Sequence, residues 1–352
     1  MKTWRGGMIG AGAWSDIQLT AWAAVENAEI VAVCDRQPEL AARNAEKFGI
    51  PHVYADAATM LQEAELDFVD ICTRPYSHAA LTRLAADAGL PVLCQKPFCE
   101  SLAEAGEVAA YCRQKNVPLM VNENFRWQAW YRKVKEMLDA DAIGEPFVAN
   151  IHWRLRVTLP HFHHRQPYFK DMPRLAVYEL GVHYLDVFRY LFGDPATIYA
   201  RLHQMSGEIA GEDVQIINLG YNDRPLTCLI NHSWASVAIP QQDSIEEQTP
   251  LDIAHPLEID GTKGTIHLKA DRSLHLITDD EHQIWEYPAE ARPAAHAATQ
   301  QHFIDCIEQD LPFETSAADY IHTMALVYAC YQSNQEGRVI HLDEILKRKL
   351  ST

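Results

Sequence analysis

No stretch of the sequence approaches the ~18 uninterrupted apolar residues that a membrane helix needs, and the opening MKTWRGGMIGAG holds no apolar run of signal-peptide length. A membrane-spanning or exported protein is therefore not expected, and the expected location is cytoplasmic. Cations are also scarce: 30 Lys and Arg stand against 48 Asp and Glu, a formal net charge of -18. Without a basic stripe to neutralise phosphates, a nucleic-acid partner is excluded. Cysteine occurs eight times and never as a CxxC pair, so no thiolate metal knuckle or redox dithiol is expected. Cys34, Cys72 and Cys94 each fall near the end of a short apolar run and read as reduced core thiols. Internal repeats and low-complexity tracts are missing too. What remains is an ordinary globular composition, 48% apolar and 22% charged, in 352 residues. That length exceeds the roughly 250–300 at which one core stops growing, so two domains are expected.

Up to residue 123, short apolar runs (6–10, 29–34, 52–55, 67–72, 91–95 and 118–122) alternate with helix-like stretches near 15–26, 38–48, 56–65, 77–89 and 101–115. Ser101 and Glu104 form a capping-box pattern at the start of the last helix. Continuous apolar strands alternating with helices are the mark of a parallel sheet covered on both faces. After a helix near 131–143 the rhythm changes to a period of two. In 147–156, Phe147, Ala149, Ile151, Trp153 and Leu155 are expected to face a core, while Asn150, His152, Arg154 and Arg156 share a polar face. Runs at 213–221, 226–234, 257–260, 264–269, 274–278 and 283–287 extend this sheet, and a helix at 178–192 should cover its apolar side. Helices near 296–309 and 316–334 close the chain, and 239–256, with Pro240, Pro250 and Pro256, reads as a long loop. The expected fold class is α/β, with a doubly wound parallel (Rossmann) sheet over 1–123. An α+β domain over 124–352 carries a large, mostly antiparallel open sheet, with terminal helices that can pack back on the first domain.

The first strand runs into Gly10-Ala11-Gly12-Ala13-Trp14-Ser15, and a helix pattern starts at once. Pyrophosphate binding needs this layout, because glycines admit the phosphates to the backbone and a helix N-terminus supplies free N–H groups. The third glycine of the fingerprint is replaced by Ser15, still small enough to keep helix and strand close. Asp35, at the end of the next strand and 23 residues beyond Gly12, stands where a carboxylate accepts hydrogen bonds from the adenosine ribose of NAD. Arg36 follows, and could stack on adenine or pair with the 2′-phosphate of NADP. NAD is favoured because a carboxylate would repel that phosphate. At the ends of the fourth and fifth strands lie Thr73-Arg74-Pro75-Tyr76-Ser77-His78 and Gln95-Lys96-Pro97. Ligands of open α/β sheets bind at the carboxyl ends of strands. Thr73, Arg74, His78, Gln95 and Lys96 accordingly join Gly10, Gly12, Ala13, Trp14, Asp35 and Arg36 as expected cofactor contacts.

These segments, with ELGVHYLDVFRYLFG (179–193), EIDGTKGTI (258–266) and SNQEG (333–337), resemble the Gfo/Idh/MocA oxidoreductases over nearly the whole chain. The resemblance implies that Lys96 is catalytic, although Gln95 replaces the usual glutamate before it. It also implies a catalytic acid at Glu179, where the family usually has Asp, and a catalytic His183, with Asp186 following. Chemistry points the same way. Oxidising an alcohol needs a base for the hydroxyl proton, and imidazole titrates near neutral pH. His183 is the expected base, with Lys96 hydrogen-bonding the reacting oxygen and Glu179 or Asp186 orienting the imidazole. Gly181 should allow close approach of substrate or strand.

His161-Phe162-His163-His164 has no clear partner ligands, and no metal is expected. Substrate contacts are expected from Lys96, Asn122, Asn124, Arg126, Trp127, Arg154, Tyr178 and His183, a set of donors and acceptors with a flat apolar wall. The resemblance implies a sugar, polyol or inositol as substrate. The run NENFRWQAWYR looks like the branch that includes D-apiose dehydrogenases. NAD-dependent glycoside hydrolases and catalytically silent NAD- or sugar-sensing regulators share the motifs and remain open alternatives. The polar face of the second sheet suggests pairing between subunits, and the resemblance implies a homodimer or homotetramer formed through it, which leaves Arg154 open to either an interface or a substrate role.

Overall fold

The structure, a computed structural model, describes residues 2–155, 167–236 and 254–349. Among them the chain forms two compact units, one of residues up to Asn124 with Ala294–His322, the other of Phe125–Pro293 with the residues from Thr323 onward. The expected second domain, 124–352, therefore gives up 294–322 to the first unit.

In the first unit six strands, β1 (Trp4–Ile9), β2 (Ala28–Cys34), β3 (His52–Tyr54), β4 (Phe68–Ile71), β5 (Val92–Gln95) and β6 (Leu119–Asn122), lie in the order β3-β2-β1-β4-β5-β6. Every neighbouring pair is parallel. All residues of β4, β5 and β6 are buried, which is why they read as continuous apolar runs instead of alternating ones. Between the strands run α1 (Ser15–Trp22), α2 (Pro38–Phe48), α3 (Ala57–Glu63), α4 (Pro75–Asp87) and α5 (Leu102–Gln114). The Ser101 hydroxyl accepts from Glu104 N–H at 3.1 Å, but the Glu104 carboxylate reaches back to the N–H of Glu100 instead of Ser101, one residue beyond the expected box. Met8, Trp22, Phe68, Leu93 and Met120 form the core with Phe303 and Ile304, which come from the returning segment 294–322. Burying one such side chain stabilises the fold by about 1.5–3 kcal/mol. Strand order reverses at β1/β4, the place where open α/β sheets receive ligands.

In the second unit nine strands form one sheet. They are β7 (Pro146–Arg154), β8 (Thr197–His203), β9 (Val214–Gly220), β10 (Thr227–Ser233), β11 (Leu257–Gly261), β12 (Gly264–Leu268), β13 (Ser273–Thr278), β14 (His282–Glu286) and β15 (Ile340–His341). They lie in the order β14-β13-β12-β11-β7-β10-β9-β8-β15. Only β7 and β10 run parallel; the other pairs are antiparallel. Ala149, Ile151 and Trp153 are buried as expected, but Phe147 is 42% exposed. The β7–β11 register slips there, Val148 pairing with Asp260 and Pro146 with Gly261, so Phe147 is the extra residue of a bulge and leaves the alternation. The unit also carries α6 (Ala129–Asp139) and α7 (Val182–Phe192), whose residues other than Tyr190 are all buried. Of the later helices, α8 (Ala291–Gln309) lies almost wholly in the segment that belongs to the first unit, α9 (Ala317–Glu336) begins in that segment and continues in the second unit, and α10 (Leu342–Lys349) belongs to the second. Arg156 and most of the expected 239–256 loop lie outside the described residues. Among the described residues no helix is long and apolar enough to cross a membrane.

Candidate active site

The glycine loop is built for a ligand that approaches backbone. Gly10 has φ +107°, and a Cβ there would meet the Cys72 carbonyl oxygen at 2.3 Å, so only glycine fits. Gly12 differs: a Cβ on it meets nothing within 4 Å, because the loop faces open space on that side. Ser15, where the fingerprint has a third glycine, is fully buried. Its hydroxyl donates to the Gly12 carbonyl at 2.5 Å and accepts from Asn44 Nδ2 at 2.7 Å, so the polar side chain is satisfied at the helix–strand contact. Among the described contacts the N–H groups of Gly12, Ala13 and Trp14 donate to no protein group, while α1 starts directly after them. Asp35 holds the loop: its Oδ2 accepts from Ala11 N–H at 2.8 Å and its Oδ1 from Gln37 N–H at 2.9 Å. Each oxygen keeps a further lone pair for a ribose hydroxyl. Open backbone N–H groups at a helix start, a glycine with no Cβ facing free space and an adjacent carboxylate fit NAD. Beside them Arg36 donates to the Tyr76 hydroxyl at 3.0 Å, linking the ends of β2 and β4 through a tyrosine that sequence reasoning did not single out.

His78, expected among the cofactor contacts, is instead fully buried. Its Nδ1 faces the carbonyls of Pro97 (3.0 Å) and Phe98 (3.1 Å), and its Nε2 faces that of Thr73 (3.0 Å). The imidazole thus clasps the loops after β4 and β5 and holds the segment that carries Lys96. Burial, the largest influence, pushes its pKa below the usual value; the three carbonyls push it up, and the Lys96 charge adds to the fall. Lys96 is half-buried, and its N–H donates to the Gln95 amide oxygen at 3.3 Å, a bond within the motif that replaces the family's acid. Thr73 receives the Ser77 hydroxyl at 2.7 Å, and Arg74, which is exposed, precedes the first residue of α4.

Two further clusters belong to the first unit. Asn122, an expected substrate contact, is 1% exposed and donates to Gln18 Oε1 at 2.9 Å, which also accepts from Gln300 Nε2 at 2.6 Å. Asn124 is bonded to His296 Nε2 at 3.3 Å, and the His296 ring stands edge-on to Trp14 with centroids 5.7 Å apart. Trp14 and Asn124 are therefore brought together through a histidine more than 170 residues later in sequence, which no local motif announces.

In the second unit the E-x-x-x-H segment is not one α-helix. Ala176–Gly181 forms a π-helical turn that leads into α7, so Glu179 lies on the wide turn and His183 on the α-helix. Such turns are rare and concentrate at functional sites. Glu212 holds its start, the carboxylate accepting from the N–H groups of Leu175 and Val177 and from the Tyr331 hydroxyl at 2.6 Å. Burial and the facing Glu212 push the Tyr331 hydroxyl well above its usual pKa, so it stays a donor. At Gly181 a Cβ would meet Gln215 Oε1 at 2.2 Å, so the close approach this glycine allows is that of a strand side chain. The Gln215 amide donates to the Ala176 carbonyl and to His232 Nδ1, both at 3.1 Å. Burial pushes His232 down to about 3, so the ring is neutral with its proton on Nε2.

His183, 5% exposed, lies flat against Phe125, with centroids 3.9 Å apart and an interplanar angle of 7°. Phe125 is flanked by His255 and Tyr184, and His255 presses on Trp153 at 3.8 Å. Asp186 accepts two bonds from Arg126, each 2.7 Å, and one from the Thr323 hydroxyl at 2.9 Å. Arg126, expected to touch substrate, thus spends two donors on a buried carboxylate. Trp127 lies under the Arg132 guanidinium at 3.6 Å, and Tyr178 sits on the π-turn, 8% exposed. Arg154, exposed and donating to Ser236 at 3.3 Å, is on the sheet face opposite Trp153 and is not brought together with these residues. Among the described residues no three His, Cys, Asp or Glu side chains are arranged to hold a metal ion; His161, His163 and His164 lie outside the described residues.

Residues 4–123 match the model of an oxidoreductase family with an NAD-binding Rossmann fold, and 135–342 match that family's C-terminal alpha/beta domain. The chain is 38% identical over 355 residues to a D-apiose dehydrogenase of Paraburkholderia graminis, covering 98% of this chain and 91% of that one. It is 35% identical to a D-apiose dehydrogenase of Rhizobium rhizogenes, covering 98% and 99%. An oxidoreductase from Agrobacterium radiobacter, solved in complex with NAD+, L-tartaric acid and magnesium, superposes with a TM-score of 0.89 at 34% identity, covering 98% of this chain and all of that one. Matched in both domains and along nearly all of its length, the chain belongs to the Gfo/Idh/MocA oxidoreductases and is an NAD-dependent enzyme of that family.

Proposed function

We propose that this protein is a cytoplasmic dehydrogenase that oxidises a hydroxyl-bearing carbon of D-apiose, or of a small aldose of similar shape, with NAD as the oxidant. The observation that carries this reading is the identity of 35–38% to two D-apiose dehydrogenases over 98% of the chain, a span that includes Lys96, Glu179 and His183. Bound NAD would supply the acceptor for the hydride that leaves the substrate carbon. Gly12, Ala13 and Trp14 would hold its pyrophosphate through their N–H groups, and Asp35 its ribose, with Arg36 and Tyr76 on the adenine side. NAD is preferred to NADP because the Asp35 carboxylate would repel a 2′-phosphate.

The remaining work falls to side chains. Lys96 hydrogen-bonds the reacting oxygen and stabilises the charge that develops on it. His183 takes the hydroxyl proton, and Glu179, on the π-turn before it, assists that transfer. Tyr178 and Asn124 contribute substrate contacts. The open sheet face, with Asn150, His152, Arg154 and the exposed Ile216, Ile277 and Ile284, pairs subunits into a dimer or tetramer.

The test is to incubate the protein with NAD or NADP and a panel of aldoses, polyols and inositols, D-apiose included, and to follow reduced nicotinamide. Turnover on D-apiose, lost in Lys96→Ala and His183→Ala, is expected. Release of aglycone from glycosides without net reduction would replace this reading by the hydrolase one.

A further inference from the structure

We propose that Phe125 is a positioning residue for His183, and that the Arg126–Asp186 pair is the lock that keeps Phe125 on the imidazole. The inference rests on reading His183 as the base, and its test separates the two.

Rotation about the Cβ–Cγ bond of histidine is broad and roughly two-fold, so an imidazole that must present one nitrogen to a hydroxyl needs an external constraint. A phenyl ring at 3.9 Å and 7° supplies it, since at van der Waals separation the imidazole cannot turn without driving into the phenyl face. Phe125 has little room to retreat. It is 4% exposed, with His255 tilted against it at 5.4 Å and Tyr184 edge-on at 6.3 Å, and His255 is itself backed by Trp153. The ring face also favours the cation that His183 becomes on taking a proton.

What fixes Phe125 lengthwise is its neighbour. Phe125–Trp127 is a single 3-10 turn, and Arg126 within it makes a two-pronged bond to Asp186, three residues after His183 on the same helix. The turn that carries the ring is thereby tied to the helix that carries the imidazole. Thr323 steadies the same carboxylate, and its hydroxyl accepts in turn from Arg189 Nη1 at 2.8 Å. The pair's side chains are 7% and 0% exposed. A buried ion pair contributes little net stability, and its best-attested use is to fix register, which is the role assigned here.

The experiment reads the His183 ring protons by NMR in the full-length protein, assigned by their loss in His183→Gln. A ring stacked at this distance shifts them upfield. Loss of that shift in Phe125→Leu and in Asp186→Asn, with its retention in Phe125→Tyr, is the expected result; retention in either of the first two overturns the proposal. Should Asp186→Asn fail to fold, Thr323→Val stands in, and an unmoved signal there overturns the lock. In steady state, Phe125→Leu is expected to lower kcat roughly 10- to 100-fold with KM for NAD unchanged, and Phe125→Tyr to restore it. Full turnover by His183→Gln alongside the expected shifts would overturn the base reading and leave the stacking intact.

Discussion

In the first unit the groups that would meet the cofactor are mostly backbone: N–H groups of Gly12, Ala13 and Trp14, in a loop that Gly10 permits and Asp35 holds. In the second unit the proposed catalytic segment consists of side chains held by other side chains: His183 by Phe125, Asp186 by Arg126, the π-turn by Glu212 and Gln215. The difference governs how each half fails. A backbone site is damaged by adding atoms to a few glycines, whereas a side-chain site is damaged by removing a partner far away in sequence.

The sharpest way to break that contrast is Gly10→Ala. Positive φ and a Cβ overlapping the Cys72 carbonyl should cost roughly 3 kcal/mol and NAD affinity should fall about 100-fold. Gly12→Ala should fold normally and lose NAD affinity alone; calorimetric NAD binding beside thermal melting distinguishes the two. A buried polar group away from the loop should behave in the opposite way. Burial pushes Asp70, fully enclosed and bonded through Trp22 Nε1, up to about 7. The folded protein therefore keeps this proton up to near neutrality while the unfolded chain releases it near pH 4. Stability should fall as pH rises from about 4 to about 7, by up to ~4 kcal/mol, and level off above. Asp70→Asn should flatten that slope, read by urea unfolding at several pH values, without changing NAD affinity.

His78→Ala leaves three carbonyls without their imidazole and should cost about 2–3 kcal/mol, with turnover falling because the Lys96 segment loosens. In the second unit Gly181→Ala forces Gln215 to move and should cost about 1–2 kcal/mol and slow turnover about tenfold, leaving NAD binding unchanged. Equal loss of NAD affinity in Gly10→Ala and Gly181→Ala would erase the distinction drawn between the two regions.

The same contrast explains what could be read in advance. Continuous apolar strands, the glycine loop, Asp35 and Lys96-Pro97 are contiguous patterns, and the parallel sheet and its order of ligand-facing loops followed from them. The spacing of Glu179 and His183 is compatible with α- and π-helical turns alike, so the wide turn was invisible. Glu212, His296 and the Phe125 stack depend on pairs of residues up to some 170 apart, which one sequence does not connect. β15 is two residues long, too short for any period, and Phe147 left the alternation because the bulge it forms on β7 is set by the pairing with β11, which β7's own sequence does not show.

All eight cysteines are buried and none is in a disulfide, and burial pushes Cys34 and Cys112 up to about 11 and the others higher than usual as well. The native protein should thus be silent toward a thiol dye at neutral pH, and each molecule that opens should present eight reactive groups at once. The enzyme carries its own unfolding clock, needing no engineered label, whose hands should slow when NAD is added in saturating amounts.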